Sequence, residues 1–282
     1  MSDPTLVDDP AADARAGGVL PRRFGAWYVA EHQIRSMRAY GWTIVVGSVG
    51  SPLVYLLGIG LGLAAFLDQS VADGADGPVS YVWFVAPALM ASAAVGVAMD
   101  EFTYAVMAGF KWRRMYWGIN ASPVSPGQLM SGVVLAVVAR MLLTVVVYYA
   151  LVVAFGAVGD PVAGLALPLV GVLGGLAFGL PLLAFTASLA DDTGQFAVVQ
   201  RFVFTPMFLF SGTFYPLDSL PGWLQWVGWV SPLWHASELG RSVSYGSPPG
   251  AWPVGVHVAV LLVLAAGGWV LARRAFGRRL RG

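Results

Sequence analysis

The sequence predicts an all-α membrane protein with six transmembrane helices, and three observations lead to this prediction. Hydrophobic residues make up 57% of the chain and charged residues only 11%, whereas soluble domains usually carry about 25% charged residues. Six separate segments contain the roughly 20 apolar residues that a helix needs to cross the hydrocarbon core. Basic residues fall almost entirely on one side of these segments, as they do in cytoplasmic loops.

The six predicted spans are separated by turn signals or charged segments. The shortest separation is the Gly/Pro/Asp-containing stretch 156–161, which divides the third span from the fourth. An extension of the second span toward Met107 remains open. The predicted spans are Ile44–Phe66, Tyr81–Met99, Leu129–Phe155, Val162–Leu189, Phe196–Phe214 and Trp252–Ala272.

The distribution of basic residues predicts the orientation in the membrane. Five arginines precede the first span, three cations lie between the second and third, and five arginines follow the sixth. These clusters favour the cytoplasmic side, and an even number of spans places both termini there. We therefore expect a multi-pass protein of the bacterial cytoplasmic (inner) membrane. Residues 1–21 are predicted to be a disordered cytoplasmic tail, and residues 22–282 a single six-span domain.

A short amphipathic helix is predicted at Arg22–Tyr40, before the first span. Such a helix lies in the plane of the membrane interface, where it serves either as a plain anchor or as a moving part. Its apolar stripe consists of Trp27, Ala30, Ile34 and Met37, and its polar arc of Glu31, His32, Arg35 and Arg38.

The loop Gly109–Gly127 interleaves cations with aromatic residues at the predicted inner face. Two interpretations remain open: a positively charged loop with an aromatic belt, or a short helix that docks on a cytoplasmic partner. The residues concerned are Lys111, Trp112, Arg113, Arg114, Met115, Tyr116 and Trp117.

The outer segment Tyr215–Gly246 is too long for a turn and too aromatic for a solvated loop. Short apolar pieces of this kind are usually re-entrant or interfacial. We predict two short helices, Pro221–Val230 and Leu233–Ser242, which form a re-entrant hairpin in the outer leaflet. An aromatic lid that only caps the helix bundle is the alternative.

Several kinds of chemistry are not expected. The chain has no cysteine, and its net charge of +1 does not suggest a nucleic-acid partner. Lys111 is the only lysine and does not lie in a GxxxxGK[ST] phosphate loop, so an ATPase that drives transport would be a separate chain.

Asp191-Asp192 alone is weak evidence for a magnesium-diphosphate site. His32, His235 and His257 are far apart in sequence, and we predict no metal site.

Arg140 is the one basic residue predicted in the middle of a span. A charge at that depth is costly, so Arg140 should face the bundle and have a partner. Asp100 and Glu101, near the inner end of the second span, are the nearest acids. We favour an arginine–carboxylate pair between the second and third spans over direct contact with an anionic cargo headgroup.

Two stretches resemble a known family. Phe210–Val243 is similar to the end of the fifth span and the hairpin that follows it in permeases of type-2 ABC exporters, and Asp100–Gly132 is similar to the loop after the second span. Within the family, the chain resembles the permeases that export Nod-factor lipo-oligosaccharides and daunorubicin. The resemblance extends over nearly the whole chain from Arg22 onward.

The resemblance implies a permease that works as a dimer, with a second copy or a sister permease, above two separate ATPase subunits that carry ATP and magnesium. It implies that Lys111–Trp117 lies in a coupling helix and that Trp27, Glu31, Arg35 and Arg38 belong to an interfacial gate helix. Spans 1, 2 and 5 line the path in such permeases, and the outer hairpin closes it. The outer-gate residues are then Phe210, Phe214, Tyr215, Trp223 and Trp226.

The expected function is outward transport of an amphipathic drug, lipid or lipid-linked glycan through a dimeric pathway, with no catalytic site, cofactor or metal on this chain. A membrane enzyme acting on a lipid-linked substrate is one alternative. An ion-coupled secondary transporter is another, although such proteins usually show internal repeats and several midplane ionisable groups.

Overall fold

The computed structural model describes residues 16–55, 57–58, 62, 72–74, 77–159, 161–246 and 252–281. This part of the chain is mostly helical. Its only strands, β1 (Ala72–Gly74) and β2 (Gly77–Val79), form a small antiparallel pair. The helices are α1 (Val19–Met37), α2 (Gly41–Tyr55), α3 (Tyr81–Trp112), α4 (Met115–Asn120), α5 (Pro126–Ala154), α6 (Ala163–Ser188), α7 (Gln195–Phe210), α8 (Gly222–Val230), α9 (Pro232–Tyr245) and α10 (Val254–Arg281).

Four helices in the described part of the chain are long and apolar enough to cross a membrane: α3, α5, α6 and α10. They correspond to the predicted spans 2, 3, 4 and 6. Helix α7, at the predicted fifth span, is shorter than the roughly 20 residues that spanning requires. Helix α2 begins the predicted first span, but most of residues 56–66 lie outside the described residues.

Helix α3 is the central helix of the bundle. Its Tyr81–Asp100 portion is buried almost all round, as expected for a helix that is apolar on every face. It packs against α5, α6 and α9, whereas α10 packs mainly along α6. The contact between α6 and α10 depends on Gly268, where an added Cβ would lie 2.5 Å from the Pro181 ring.

The inner end of α3 extends beyond the predicted span. The apolar run stops at Met99, but the helix continues through Asp100 and Glu101 to Trp112, with π-helical turns at Glu101–Ala105 and Ala108–Trp112. π-Helical turns within helices are frequent at functional sites. The extension carries Glu101 along the bundle to the level of Arg140 on α5.

Helix α1 is fixed against the start of α5. A capping box between Ser125 and Gln128 begins α5, with Pro126 in the first turn, and the Gln128 side chain also donates to the Arg22 carbonyl at 2.7 Å. At Gly132, an added Cβ would lie 2.5 Å from the Ala26 carbonyl oxygen. Helix α1 begins at Val19, inside the segment predicted as tail; residues 1–15 lie outside the described residues.

Candidate functional site

An ion pair between α3 and α5 lies inside the helix bundle. The Arg140 guanidinium donates through Nη1 to the Glu101 carboxylate, and the two side chains are 18% and 8% exposed. Arg140 therefore pairs with Glu101 and not with Asp100. Mutual neutralisation is what allows two charges to remain in a low-dielectric interior, since either alone would be strongly destabilising.

A cavity of ≈ 300 Å³ lies on one side of this ion pair, between α2, α3, α5 and α7. Its wall contains Arg140, Thr144 and Tyr148 from α5, which follow each other at intervals of four residues. Ser48 faces them from α2, and its hydroxyl lies 3.0 Å from that of Thr144. The remaining lining residues that matter here are Tyr55, Ser92, Ala93, Asp100, Phe204 and Phe208. We call this cavity the upper chamber.

A second cavity of ≈ 470 Å³ lies on the other side, between α1, α3, α4 and α5. Glu101 lines this cavity, whereas its partner Arg140 lines the upper chamber. His32 and Tyr40 contribute to its wall beside α1, and Arg113 contributes from the end of α3. The Glu101–Arg140 pair thus lies between the upper chamber and this second cavity, which adjoins α1 and which we call the inner cavity.

The predicted coupling segment is divided into three pieces. Lys111 and Trp112 end α3, Arg113 and Arg114 form a turn in which Arg114 has φ 52°, and Met115 begins α4. Lys111 donates to Asp191 at 2.8 Å, and this hydrogen bond lowers the pKa of the Asp191 carboxyl. The segment therefore also contacts the loop between α6 and α7.

Not every residue of this segment is available to a partner. Trp112 is 55% exposed and Trp117 is 41% exposed, and both arginines of the turn are exposed. Tyr116 is fully buried between Phe110 and Phe276 and accepts a hydrogen bond from Gln33. Its side chain is not exposed and fastens α4 to α1 and α10.

The apolar stripe predicted for α1 is only partly buried against the bundle. Val29 and Ala30 are buried against the bundle, whereas Trp27 is 64% exposed and Ile34 is 40% exposed. Helix α1 lies very close to Gly132 of α5, and Ala26 and Val29 are the residues of α1 that make this contact. Glu31 and Arg35 form an ion pair one turn apart, and Trp27, Glu31, Arg35 and Arg38 line one shallow surface depression.

At the outer end, Arg241 is the largest fully buried side chain in the described part of the chain. Its guanidinium donates to Glu238 (2.6 Å), the Gly212 carbonyl (2.6 Å) and the Phe84 carbonyl (3.2 Å). It also lies 3.7 Å from the centre of the Phe84 ring, a cation–π contact. Arg241 is therefore not a surface charge; it fastens α9 to α3 and to the loop after α7.

The predicted outer-gate residues do not form one cluster. Phe214 packs edge-on against Phe208 at 5.1 Å, and the Tyr215 hydroxyl donates to the Leu209 carbonyl; both remain near the end of α7, as does Phe210. Trp223 and Trp226 on α8 are 75% and 58% exposed. Their exposure suits the outer headgroup level of a membrane, where tryptophan is enriched.

His235 and His257 are far apart in sequence but lie in contact, with their Nδ1 atoms 2.9 Å apart. His235 Nε2 donates to the Trp229 carbonyl, so a neutral His235 accepts at Nδ1. Burial lowers the pKa of His235. The pair joins α9 to α10 next to Trp234 and Trp252. In the described residues there is no group of three or more ligating side chains that could hold a metal ion.

Comparison with known proteins decides the family. Residues 26–245 match the ABC-2 type transporter family, and this match extends from within α1 to the end of α9. The chain belongs to the ABC-2 type transporter family. It is 30% identical over 236 residues to nodulation protein J of Rhizobium meliloti (84% of this chain, 86% of the relative). It is 28% identical over 267 residues to the same-named protein of Sinorhizobium fredii (94% and 98%).

The ABC-2 region contains both members of the ion pair, the predicted coupling segment, the predicted gate residues and the whole lining of the upper chamber. Thr144 and Tyr148 of this ABC-2 permease were not predicted from the sequence, although the polar series Arg140, Thr144, Tyr148 within an apolar span was the signal that could have found them. The burial of Arg241 was not predicted either, because its partners come from distant parts of the chain.

Proposed function

We propose that the chain is the transmembrane permease subunit of an ATP-driven exporter, powered by separate ATPase subunits. It would move an amphipathic drug, lipid or lipid-linked glycan outward through a pathway shared by two permease copies, or by this chain and a sister permease. The observation that carries this proposal is the match to the ABC-2 family over residues 26–245. The likeness to nodulation protein J from several rhizobia supports it.

The proposed topology has six spans in the bacterial cytoplasmic membrane, with both termini inside. Four spans are α3, α5, α6 and α10. Helix α2, with the residues that follow it, and α7, with the residues up to Phe214, would complete the set. Arginines at the end of α10 lie on the same side as the cations at the inner end of α3, because Arg279 stacks on Phe110 at 4.1 Å. This common side suits the positive-inside rule.

The proposed outer element is a re-entrant hairpin formed by α8 and α9. Ser231 caps the start of α9 by accepting from the Leu233 and Trp234 amides, and Pro232 follows directly. A proline and a cap between the two helices support a turn there rather than one continuous seventh span. The hairpin's exposed Trp223 and Trp226 would lie among outer-leaflet headgroups and close the exit.

The proposed site of ATPase docking is an inner coupling face formed by Lys111, Trp112, Arg113, Arg114 and Trp117. These residues are exposed, basic or aromatic, and lie at the end of the central helix. A movement of the ATPase at this face would be transmitted to α3, because Lys111 and Trp112 end that helix. The same helix carries Glu101 and would pass the movement on to the Glu101–Arg140 pair. Arginine and tryptophan are also residue types enriched among interface hot spots.

Reversing the charges of this face tests the proposal. We expect the basic face to meet acidic groups of the ATPase. Lys111→Glu/Arg113→Glu/Arg114→Glu should then reduce the amount of ATPase that co-purifies by at least about tenfold, because it sets like charges against each other across the interface, at a cost of several kcal/mol. The Arg113→Glu/Arg114→Glu variant, which leaves the Lys111–Asp191 pair intact, should show most of this loss. For both variants, the amount of ATPase that co-purifies with the tagged chain is measured by quantitative mass spectrometry, after membrane insertion has been verified.

A matched control is available at the same side of the membrane. Arg273→Glu/Arg274→Glu/Arg278→Glu makes the same change in charge on exposed residues of α10, so it reports the general effect of charge on insertion and association. Full ATPase recovery with the coupling-face variants, or equal loss with the α10 variant, would show that the partner docks elsewhere. A membrane enzyme or secondary transporter would co-purify with no ATPase at all.

A further inference from the structure

A pocket of ≈ 490 Å³ opens at the inner end of the bundle, between the end of α3, α4, the loop after α6 and the end of α10. Three of its lining side chains are cationic and none is acidic. We call it the basic pocket, and it is lined by Phe110, Lys111, Arg114, Trp117, Ala190 and Arg279. It shares no lining residue with the upper chamber or the inner cavity, so it is a separate site.

Most of the positive charge in the basic pocket is not neutralised by the protein. Lys111 forms an ion pair with Asp191 at 2.8 Å. Among the described residues, no carboxylate lies within ion-pair distance of Arg114 or Arg279. Three cations and the one paired acid leave a net charge of +2, and this charge suits an anionic ligand.

The backbone of Arg114 turns this side chain into the basic pocket. Arg114 has φ 52°, the only positive φ of a non-glycine residue in the described part of the chain. A left-handed backbone is disfavoured for residues with a Cβ, and residues held in such conformations are concentrated at functional sites. As a result the two neighbouring arginines diverge, because Arg113 lines the inner cavity whereas Arg114 lines the basic pocket.

Arg279 sets the level of the basic pocket in the proposed membrane. Its guanidinium donates to the carbonyls of Thr186 (3.4 Å), Ala187 (3.3 Å) and Ala190 (3.3 Å). These carbonyls surround the end of α6 at Ser188, and α6 is long and apolar enough to cross the membrane. The pocket therefore lies where the hydrocarbon core meets the inner headgroup layer.

Aromatic rings hold the cations and the wall of the basic pocket in place. Arg279 stacks on the Phe110 ring at 4.1 Å. The Trp117 Nε1 donates to the Phe110 carbonyl at 3.1 Å, and the indole remains 41% exposed. Indole rings are enriched at the headgroup level of membranes. The pocket thus places fixed cations next to an apolar surface that the glycerol backbone of a lipid can cover.

We propose that the basic pocket binds the phosphate of an anionic phospholipid of the inner leaflet, with Arg114 and Arg279 as its principal donors. Guanidinium groups match phosphate oxygens in a bidentate manner, and basic pockets between helices at the cytoplasmic face recognise anionic headgroups. The assignment rests on the proposed topology, which places this pocket inside. Trp112 and Arg113 do not line the pocket, so they remain available to the ATPase while the lipid is bound.

Lipid titration of the purified chain, without any partner, tests the assignment. The chain is held in dodecyl maltoside, and bound lipid is counted by native mass spectrometry as dioleoyl phosphatidylglycerol or dioleoyl phosphatidylcholine is added. We expect one phosphatidylglycerol molecule to bind roughly 25-fold more tightly than phosphatidylcholine, because each of the two unneutralised cations favours the anionic lipid roughly fivefold. A large excess of inorganic phosphate should not displace it, since free phosphate has no glycerol backbone or acyl chains.

Two matched pairs of variants separate the basic pocket from general surface charge. Arg114→Asn should raise the dissociation constant of phosphatidylglycerol roughly fivefold, and asparagine tolerates the left-handed backbone of this turn. Arg113→Asn removes the same charge one residue away and should leave the constant unchanged. Arg279→Gln and its exposed neighbour Arg278→Gln repeat the comparison on α10, with the thermal midpoint measured because Arg279 also contacts α6.

Equal affinity for the two lipids, or equal effects of Arg113→Asn and Arg114→Asn, would overturn the assignment. Displacement by inorganic phosphate would show an adventitious anion only. Release of phosphatidylglycerol when the ATPase is added would assign the basic pocket to that partner instead. The titration itself uses the chain alone, so failure of the lipid assignment is distinguishable from failure of the proposed exporter function.

Discussion

Replacing Arg241 with methionine is expected to lower the free energy of unfolding by ~1–3 kcal/mol, the usual cost of leaving a buried hydrogen-bond partner unsatisfied. The substitution leaves the Glu238 carboxylate and the Phe84 and Gly212 carbonyls without their donor. It also removes the stacking on the Phe84 ring. The measurement is the thermal midpoint of the purified protein, followed by size-exclusion chromatography after heating.

Arg274→Met is the matched control, because Arg274 is exposed on α10 and undergoes the same chemical change. Its thermal midpoint should stay close to that of the wild type. Arg241→Lys keeps the charge but not the planar arrangement of donors, so its thermal midpoint should lie between those of Arg241→Met and Arg274→Met. A midpoint for Arg241→Met indistinguishable from that of Arg274→Met would mean that Arg241 does not fasten the outer helices to α3.

The second large effect is expected at the Glu101–Arg140 pair. Arg140→Leu alone should cost ~3–5 kcal/mol, since Glu101 is left buried and unpaired, whereas combining it with Glu101→Gln should restore much of the loss. The measurement is a double-mutant cycle on thermal stability. A second cycle with Asp100→Asn is the control, and it should be nearly additive because Arg140 pairs with Glu101.

Strict additivity of Arg140→Leu and Glu101→Gln would contradict the pairing. Strong coupling to Asp100 instead would mean that Asp100, which lines the upper chamber together with Arg140, is the partner of the guanidinium. Either result would also mean that no Glu101–Arg140 pair lies between the upper chamber and the inner cavity.

Helices α5 and α6 were predictable almost to their ends because local signals decide them. Apolar runs set their length, and the Ser125-Pro126 start and the turn at residues 156–161 set their boundaries. The sequence left the inner end of α3 open, since an extension toward Met107 was possible but the end of the helix at Trp112 was not indicated. Glu101 and Asp100 follow the apolar run and look like the beginning of a loop, but a partner 39 residues away allows the helix to continue.

Side chains whose surroundings come from distant segments were the least predictable part of the site. Arg241 and Tyr116 lie in segments that look like surface loops, and each is buried by residues from two other elements. His235 and His257 meet because α9 packs against α10, which no spacing in the sequence indicates. In contrast, the exposure of Trp112 and Trp223 agrees with their positions at the predicted membrane boundaries.

Isolation of the tagged chain from its native membrane in mild detergent tests the central claim most directly. The account predicts that an ATPase carrying the GxxxxGK[ST] phosphate loop is recovered in near-stoichiometric amounts with the wild-type chain. It also predicts that the complex hydrolyses ATP and that the chain freed of its partner does not. Recovery of the folded chain without such an ATPase, or ATP hydrolysis by the chain alone, would contradict the account.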